Sequence, residues 1–178
     1  PRHILLKKDE LTLEGISQFY VEIEKESQKL DVLMELYQEL NIAQAIIYVN
    51  SKKKCDWLQE VMQNHHFTIS SINGQMQQSQ RTKVLNEFRS GKTRILITTD
   101  LLCRGIDVQQ VSIVINFDIP YRHENYIHRI GRSGRFGRKG AAINLIISSQ
   151  LKDIKYIENY YHTHIHPLPE NFNSIIQA

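Results

Sequence analysis

The run Ala45-Ile46-Ile47-Tyr48-Val49 decides the fold. Five apolar residues follow one another with no polar interruption. A strand with one face in water alternates, whereas an unbroken run of strand length belongs to a strand covered on both sides. The same grammar recurs on either flank. Upstream, Phe19, Val21 and Ile23 alternate with Gln18, Tyr20 and Glu22, the period of a half-buried strand. From Ser27 to Leu40 the apolar residues Leu30, Leu33, Met34, Tyr37 and Leu40 line one helical face, with Ser27 placed to cap it. Downstream, Trp57, Leu58, Val61 and Met62 predict a helix and residues 67–72 a strand. Val84, Leu85 and Phe88 predict a helix, and Ile95-Leu96-Ile97-Thr98 a strand. Residues 111–117 read as a strand, 124–132 as a helix stopped by glycines, 141–147 as a strand and 151–161 as a final helix.

Buried strands alternating with helices define an α/β fold, a parallel β-sheet flanked by helices on both faces and built from right-handed crossovers. Ligands of such sheets gather at the carboxyl ends of the strands. Those ends here are Asn50-Ser51, Asn73-Gly74, Thr98-Thr99-Asp100 and Asp118, all small or polar. Residues 1–14 are charged and aperiodic and read as a linker, which leaves residues 15–178 as one domain. A domain of that size buries about 70% of its unfolded surface.

Charge excludes some readings. The net charge is only +3, so recognition of phosphates must come from local clustering rather than a basic surface as a whole. No apolar run reaches the roughly 18 residues of a membrane span. Cys55 and Cys103 lack metal-type spacing and fit a reduced compartment, with a single disulfide left open. Gly91-Lys92-Thr93 imitates the end of a phosphate loop, but Asn86 stands where the loop needs glycine, and a strand follows instead of a helix. His162, His164 and His166 alternate, yet Pro167 and Pro169 follow at once, and a solvated tail is the expectation rather than a metal site. No nucleophile stands beside an evident base, so hydrolysis by this chain's residues alone is not expected.

One stretch is chemically loaded. His128-Arg129-Ile130-Gly131-Arg132-Ser133-Gly134-Arg135-Phe136-Gly137-Arg138-Lys139-Gly140 holds four arginines, a lysine and no acid, with four of the eight glycines of the chain. Arginine stays charged and its planar fork matches phosphate oxygens in pairs. Glycine beside it permits close backbone approach. Arg132 and Arg135 are three apart, so helical or turn geometry points both the same way. Two further segments complete the set: Gln78-Ser79-Gln80-Arg81 opening a helix, and residues 97–107, which leave a buried strand and end in Arg104-Gly105-Ile106-Asp107. Together they supply phosphate-binding arginines, glycines and a carboxylate suited to a ribose hydroxyl.

In this order and on this α/β pattern, the segments resemble the second RecA-like domain of DEAD-box RNA helicases, most of all the translation initiation factor 4A group. The resemblance covers nearly the whole chain. Residues 45–52 are similar to motif IV, 78–81 to motif IVa, 98–107 to motif V and 128–135 to motif VI. It implies that Arg132 and Arg135 are arginine fingers reaching ATP on the other RecA-like domain, with His128 and Arg129 tying the nucleotide site to the RNA side. It implies that Gly105 and Asp107 meet the nucleotide, Asp107 at the ribose. Ser51, Gly74, Gln78, Arg81, Thr99 and Arg104 would follow the RNA backbone or brace the loops that do. RNA, single-stranded or in short duplexes, would be read through phosphates and 2′-hydroxyls rather than bases.

The chain contains no phosphate loop and no Asp-Glu-Ala-Asp segment, so it is expected to be half an enzyme. ATP and Mg2+ would be held mainly by an absent N-terminal RecA-like domain, and no metal site is expected in this one. The resemblance further implies a monomer that docks on a 4G-type helical-repeat scaffold. It places the protein in the cytoplasm, or in the nucleus for relatives tied to splicing or ribosome assembly. Asp100-Leu101-Leu102-Cys103-Arg104 leans towards the translation factor. Two positions depart from the pattern: Cys103 replaces the usual alanine, and Asn73 stands where many relatives carry histidine.

Overall fold

The computed structural model describes residues 11–40, 44–100, 111–133 and 140–172. Its strands are β1 (Leu11–Thr12), β2 (Ile16–Ile23), β3 (Ala45–Tyr48), β4 (Ile69–Ile72), β5 (Ile95–Thr98), β6 (Ile113–Asn116), β7 (Arg132–Ser133), β8 (Gly140–Ile147) and β9 (His166–Pro167). Its α-helices are α1 (Lys29–Leu40), α2 (Lys52–Asn64), α3 (Gln78–Arg89), α4 (Glu124–Ile130) and α5 (Leu151–Tyr161). Among the described residues, seven strands form one sheet in the order β4-β5-β3-β6-β8-β2-β9, every pair parallel. β1 and β7 form a separate antiparallel pair.

The run that opened the sequence is the centre of this sheet. β3 lies between β5 and β6, with Ala45 in register with both Ile95 and Ile113. Ala45, Ile47 and Val49 pack into one core with Leu33 and Tyr37 of α1 and Leu58 and Met62 of α2. Ile46 and Tyr48 pack into the other with Phe88 of α3, Tyr126 and Ile130 of α4, and Ile154 and Ile157 of α5. Each such side chain contributes about 1.5–3 kcal/mol on burial, and the two faces compete for the same strand only if it is apolar throughout. The sheet flanked on both faces is therefore as expected.

Local boundaries differ in instructive ways. Ser27 does not cap α1. Glu26–Gln28 form a 3-10 turn in which the Gln28 side chain accepts from the Lys25 N–H at 3.1 Å, and α1 starts at Lys29. β2 alternates because Phe19 and Ile23 enter the core while the other face carries Gln18, a buried amide bound to Thr163 and Tyr126. The helix expected over 124–132 ends at Ile130, and Arg132 is extended in β7. A Cβ at Gly131 would fall well inside contact distance of the Ile127 carbonyl oxygen and 3.2 Å from Leu11 Cβ. Only glycine lets the helix end settle there and turn into pairing with β1. Leu11 and Thr12 belong to the stretch read as linker.

Candidate functional site

The sheet order brings the carboxyl ends of β4, β5, β3 and β6 side by side, and with them the segments singled out in the sequence. Their junction is one guanidinium. Arg129, on α4, is completely buried, and an arginine has five N–H donors to satisfy. Nε donates to Asp100 Oδ1 at 2.5 Å and Nη2 to Asp100 Oδ2 at 2.8 Å, a bidentate fork. Nη2 also donates to Asn50 Oδ1 at 2.6 Å. Nη1 donates to Asn116 Oδ1 at 3.2 Å and to the Asp118 carbonyl oxygen at 2.5 Å. All five donors are used, and the plane lies 5.3 Å from the centre of the Tyr48 ring. The acceptors come from the ends of β3, β5 and β6, so one side chain of the arginine-rich segment ties these three strand ends together, Asp100 of the 97–107 segment among them.

A buried polar relay extends from it. Asn116 Nδ2 donates to Asn144 Oδ1 at 2.8 Å. Asn144 Nδ2 donates to the Phe19 carbonyl at 3.0 Å and the Tyr126 hydroxyl oxygen at 3.3 Å. Tyr126 donates to Gln18 Oε1 at 2.8 Å, and Gln18 to Thr163 Oγ1 at 2.7 Å. Burial pushes the Tyr126 phenol far up, so it works as a neutral donor.

Beside this lies a wetter cluster. Asp118 carries Lys54 at 2.5 Å and Lys29 at 3.8 Å, and its other oxygen accepts from the Asn50 N–H at 2.9 Å. Glu26 binds Lys54 at 3.0 Å and Lys29 at 3.1 Å. Lys29 is 1% exposed and also donates to the Phe117 carbonyl at 2.9 Å. Burial alone would raise Glu26, but the two ammoniums outweigh it and hold the carboxyl below its ordinary range. Burial likewise would lower Lys54, yet Asp118 and Glu26 outweigh it and raise the ammonium. A cavity of about 340 Å³ opens here between Lys54, Ser51, Tyr121 and Asp153.

The expected site residues fall as follows. Ser51 caps α2, its hydroxyl accepting from the Lys54 N–H at 3.2 Å. Gly74 and Arg81 meet: the guanidinium donates to the Gly74 carbonyl at 2.7 Å, pinning the turn after β4 to α3. Asn73, the departure from the family pattern, accepts from the Gln75 N–H at 2.9 Å and shapes that turn. Gln78 is exposed at the start of α3, Thr99 is buried at the end of β5, and His128 is exposed on α4. The backbone of Arg132 is in β7. Arg104, Gly105, Asp107 and Arg135 lie outside the described residues. Cys55 is a free, buried thiol, and burial raises its pKa to about 11. His164 and His166 stack with ring centres 6.0 Å apart. Among the described residues no group of three metal-ligating side chains converges, and no helix is long and apolar enough to cross a membrane.

Sequence reasoning missed Lys29, Asn116 and Asn144. The signals were there: Lys29 stands four residues before Leu33 on the apolar face of α1, and each asparagine sits within an apolar strand run.

The architecture is that of a RecA-like domain, and known proteins agree. The model of the helicase conserved C-terminal domain matches residues 28–137, more than half of the chain. The isolated C-terminal domain of the DEAD-box protein Dbp5 superposes with a TM-score of 0.80 at 34% identity, covering 93% of this chain and 99% of that one. The chain belongs to the C-terminal helicase domains of DEAD-box proteins. It is 56% identical over 176 residues to the ATP-dependent RNA helicase eIF4A of Schizosaccharomyces pombe, covering 99% of this chain and 45% of that protein. It is 54% identical to the eukaryotic initiation factor 4A of Caenorhabditis elegans, covering 99% of this chain and 44% of that protein. S. cerevisiae Dbp5 bound to RNA and ADP BeF3 superposes with a TM-score of 0.82 at 34% identity, over 92% of this chain and 44% of that one. The chain thus spans somewhat under half the length of the two initiation factors it matches.

Proposed function

We propose that this chain is the trans-acting half of an ATP-dependent RNA helicase. In this reading RNA lies across the turns at Ser51, Gly74, Gln78, Arg81, Thr99 and Arg104. Closure onto an N-terminal RecA-like domain brings Arg132 and Arg135 to the γ-phosphate of ATP, the substrate, with Gly105 and Asp107 at the nucleotide. The observation that carries the reading is the Arg129 junction. It locks α4, the helix that leads into Arg132, to Asn50 beside Ser51 and to Asp100 beside Thr99. Arginine fingers speed phosphoryl transfer by about 10³–10⁵, through electrostatic stabilisation of charge that develops in the transition state. The strand-end carboxylates are already committed, Asp100 to Arg129 and Asp118 to Lys54 and Lys29. That fits a magnesium ion held by the partner domain. Translation initiation in the cytoplasm is the setting supported by identity to proteins named eIF4A.

The test is steady-state ATPase in the full-length protein with saturating RNA. Arg132→Ala and Arg135→Ala each lower turnover by at least about 10³-fold, and the 178-residue chain alone shows none. Normal turnover in both variants sinks the proposal.

A further inference from the structure

One short piece of chain pairs with the arginine-rich segment twice, at residues 132–133 and again at Gly140. Leu11 pairs with Ser133 and Thr12 with Arg132, antiparallel. Four residues later Ile16 pairs with Gly140, the first rung of the parallel ladder between β2 and β8. Between these contacts the chain reverses: the Glu14 N–H donates to Thr12 Oγ1 at 3.2 Å, the Ile16 N–H to the Leu13 carbonyl at 3.2 Å, and Gly15 takes φ +77°. The end of α4 rests on the same piece, with the Cβ position of Gly131 3.2 Å from Leu11 Cβ.

We propose that residues 11–16 are a positioning clamp for Arg132; the inference rests on its assignment to ATP. The clamp defines the separation and register of positions 132–133 and 140. Two consequences follow. Leu11 and Thr12 act through Arg132 rather than on the nucleotide. Tension on the chain ahead of Leu11 falls first on the rungs that hold Arg132, so the incoming segment is mechanically wired to the site. A two-residue bridge suits such a coupling, because a short ladder opens far more readily than the eight-residue pairing of β2 with β8.

Gly15 offers a clean test. No atom lies within 4 Å of a Cβ built there, so a substitution acts only through the backbone, which at this φ resists β-branched residues and tolerates asparagine. In the full-length protein Gly15→Val lowers RNA-stimulated kcat by about 10- to 100-fold, the scale of an ångström-level misplacement. KM for ATP and the RNA Kd stay within about twofold, the split expected of an interaction made only in the transition state. Amide hydrogen exchange over 131–133 quickens, and Gly15→Asn restores turnover to within about twofold. Leu11→Gly, which removes the contact to Gly131 without strain at the turn, moves kcat in the same direction and carries the test should Gly15→Val not fold. Unchanged kcat in Leu11→Gly and in a folded Gly15→Val, or unchanged exchange at 131–133, overturns the clamp. Arg132→Ala is assayed in parallel. If it is inactive while the clamp variants are normal, the clamp alone fails. If it turns over normally, the assignment of Arg132 fails first.

Discussion

Two ionic clusters meet at Asp118 and differ in kind. On one side its backbone carbonyl accepts from Arg129, which is wholly buried with five donors satisfied. On the other its carboxylate binds Lys54 and Lys29, which share Glu26, a residue with 51% of its side chain in water. The partners are alike in charge and distance. What separates them is the fate of the atoms when one partner is lost. Around Arg129 the buried Asn116 amide has no solvent to replace its donor, although Asp100 keeps 26% of its side chain exposed. Around Glu26 water stands ready. The first cluster therefore specifies one arrangement of the strand-end loops, while the second only shades it.

Removing the guanidinium is the sharpest way to probe that difference. Arg129→Ala breaks the fork to Asp100, takes the donor from the buried Asn116 amide and the Asp118 carbonyl, and costs about 3–5 kcal/mol, read as a lower urea midpoint. Arg129→Lys falls only slightly short of this, because an ammonium has three donors where five are used and cannot form the planar fork. If the lysine variant matches the parent, the junction is a generic charge pair and the contrast with the outer cluster collapses.

Lys29 occupies the middle ground, belonging to the outer cluster yet 1% exposed. Lys29→Met keeps the stem packed but strands the Phe117 carbonyl, which donor loss should make cost about 1–3 kcal/mol. A value below that range would show that the outer cluster tolerates loss even where it is dry.

These dependences were only partly readable from the chain. Ala45 to Val49 declared a strand buried on both faces, because that requirement acts residue by residue and leaves a continuous apolar run. The Arg129 motif also stood out, but its partners did not. Asn50, Asp100 and Asp118 looked like ordinary polar strand ends, and which of them share a guanidinium depends on sheet order. Lys29 was hidden by its charge, since a lysine on an apolar helical face reads as a flaw until Phe117 supplies its acceptor from a distant strand. The helix ends at Ile130, two residues before the expected position 132, for a related reason. What draws Arg132 out of the helix is pairing with Thr12, from the far end of the sequence, and no local propensity reports that.

The smallest effect is the most diagnostic of the outer cluster. Glu26 is held below its ordinary pKa of 4.5 because Lys54 and Lys29 outweigh the opposing effect of burial. A carboxyl depressed in the folded state stabilises above its unfolded pKa, and that contribution fades as pH falls through the folded value. Half-exposed in water, the pair is screened and contributes under about 1 kcal/mol. Glu26→Gln is therefore expected to lower stability slightly at pH 7, to match the parent once the pH lies well below 4.5, and to lose its difference in about 1 M salt. Arg129→Ala, measured across the same salt series, should keep nearly its full deficit, since a dry junction is screened little. Equal salt sensitivity in the two variants would mean that burial does not divide the clusters after all.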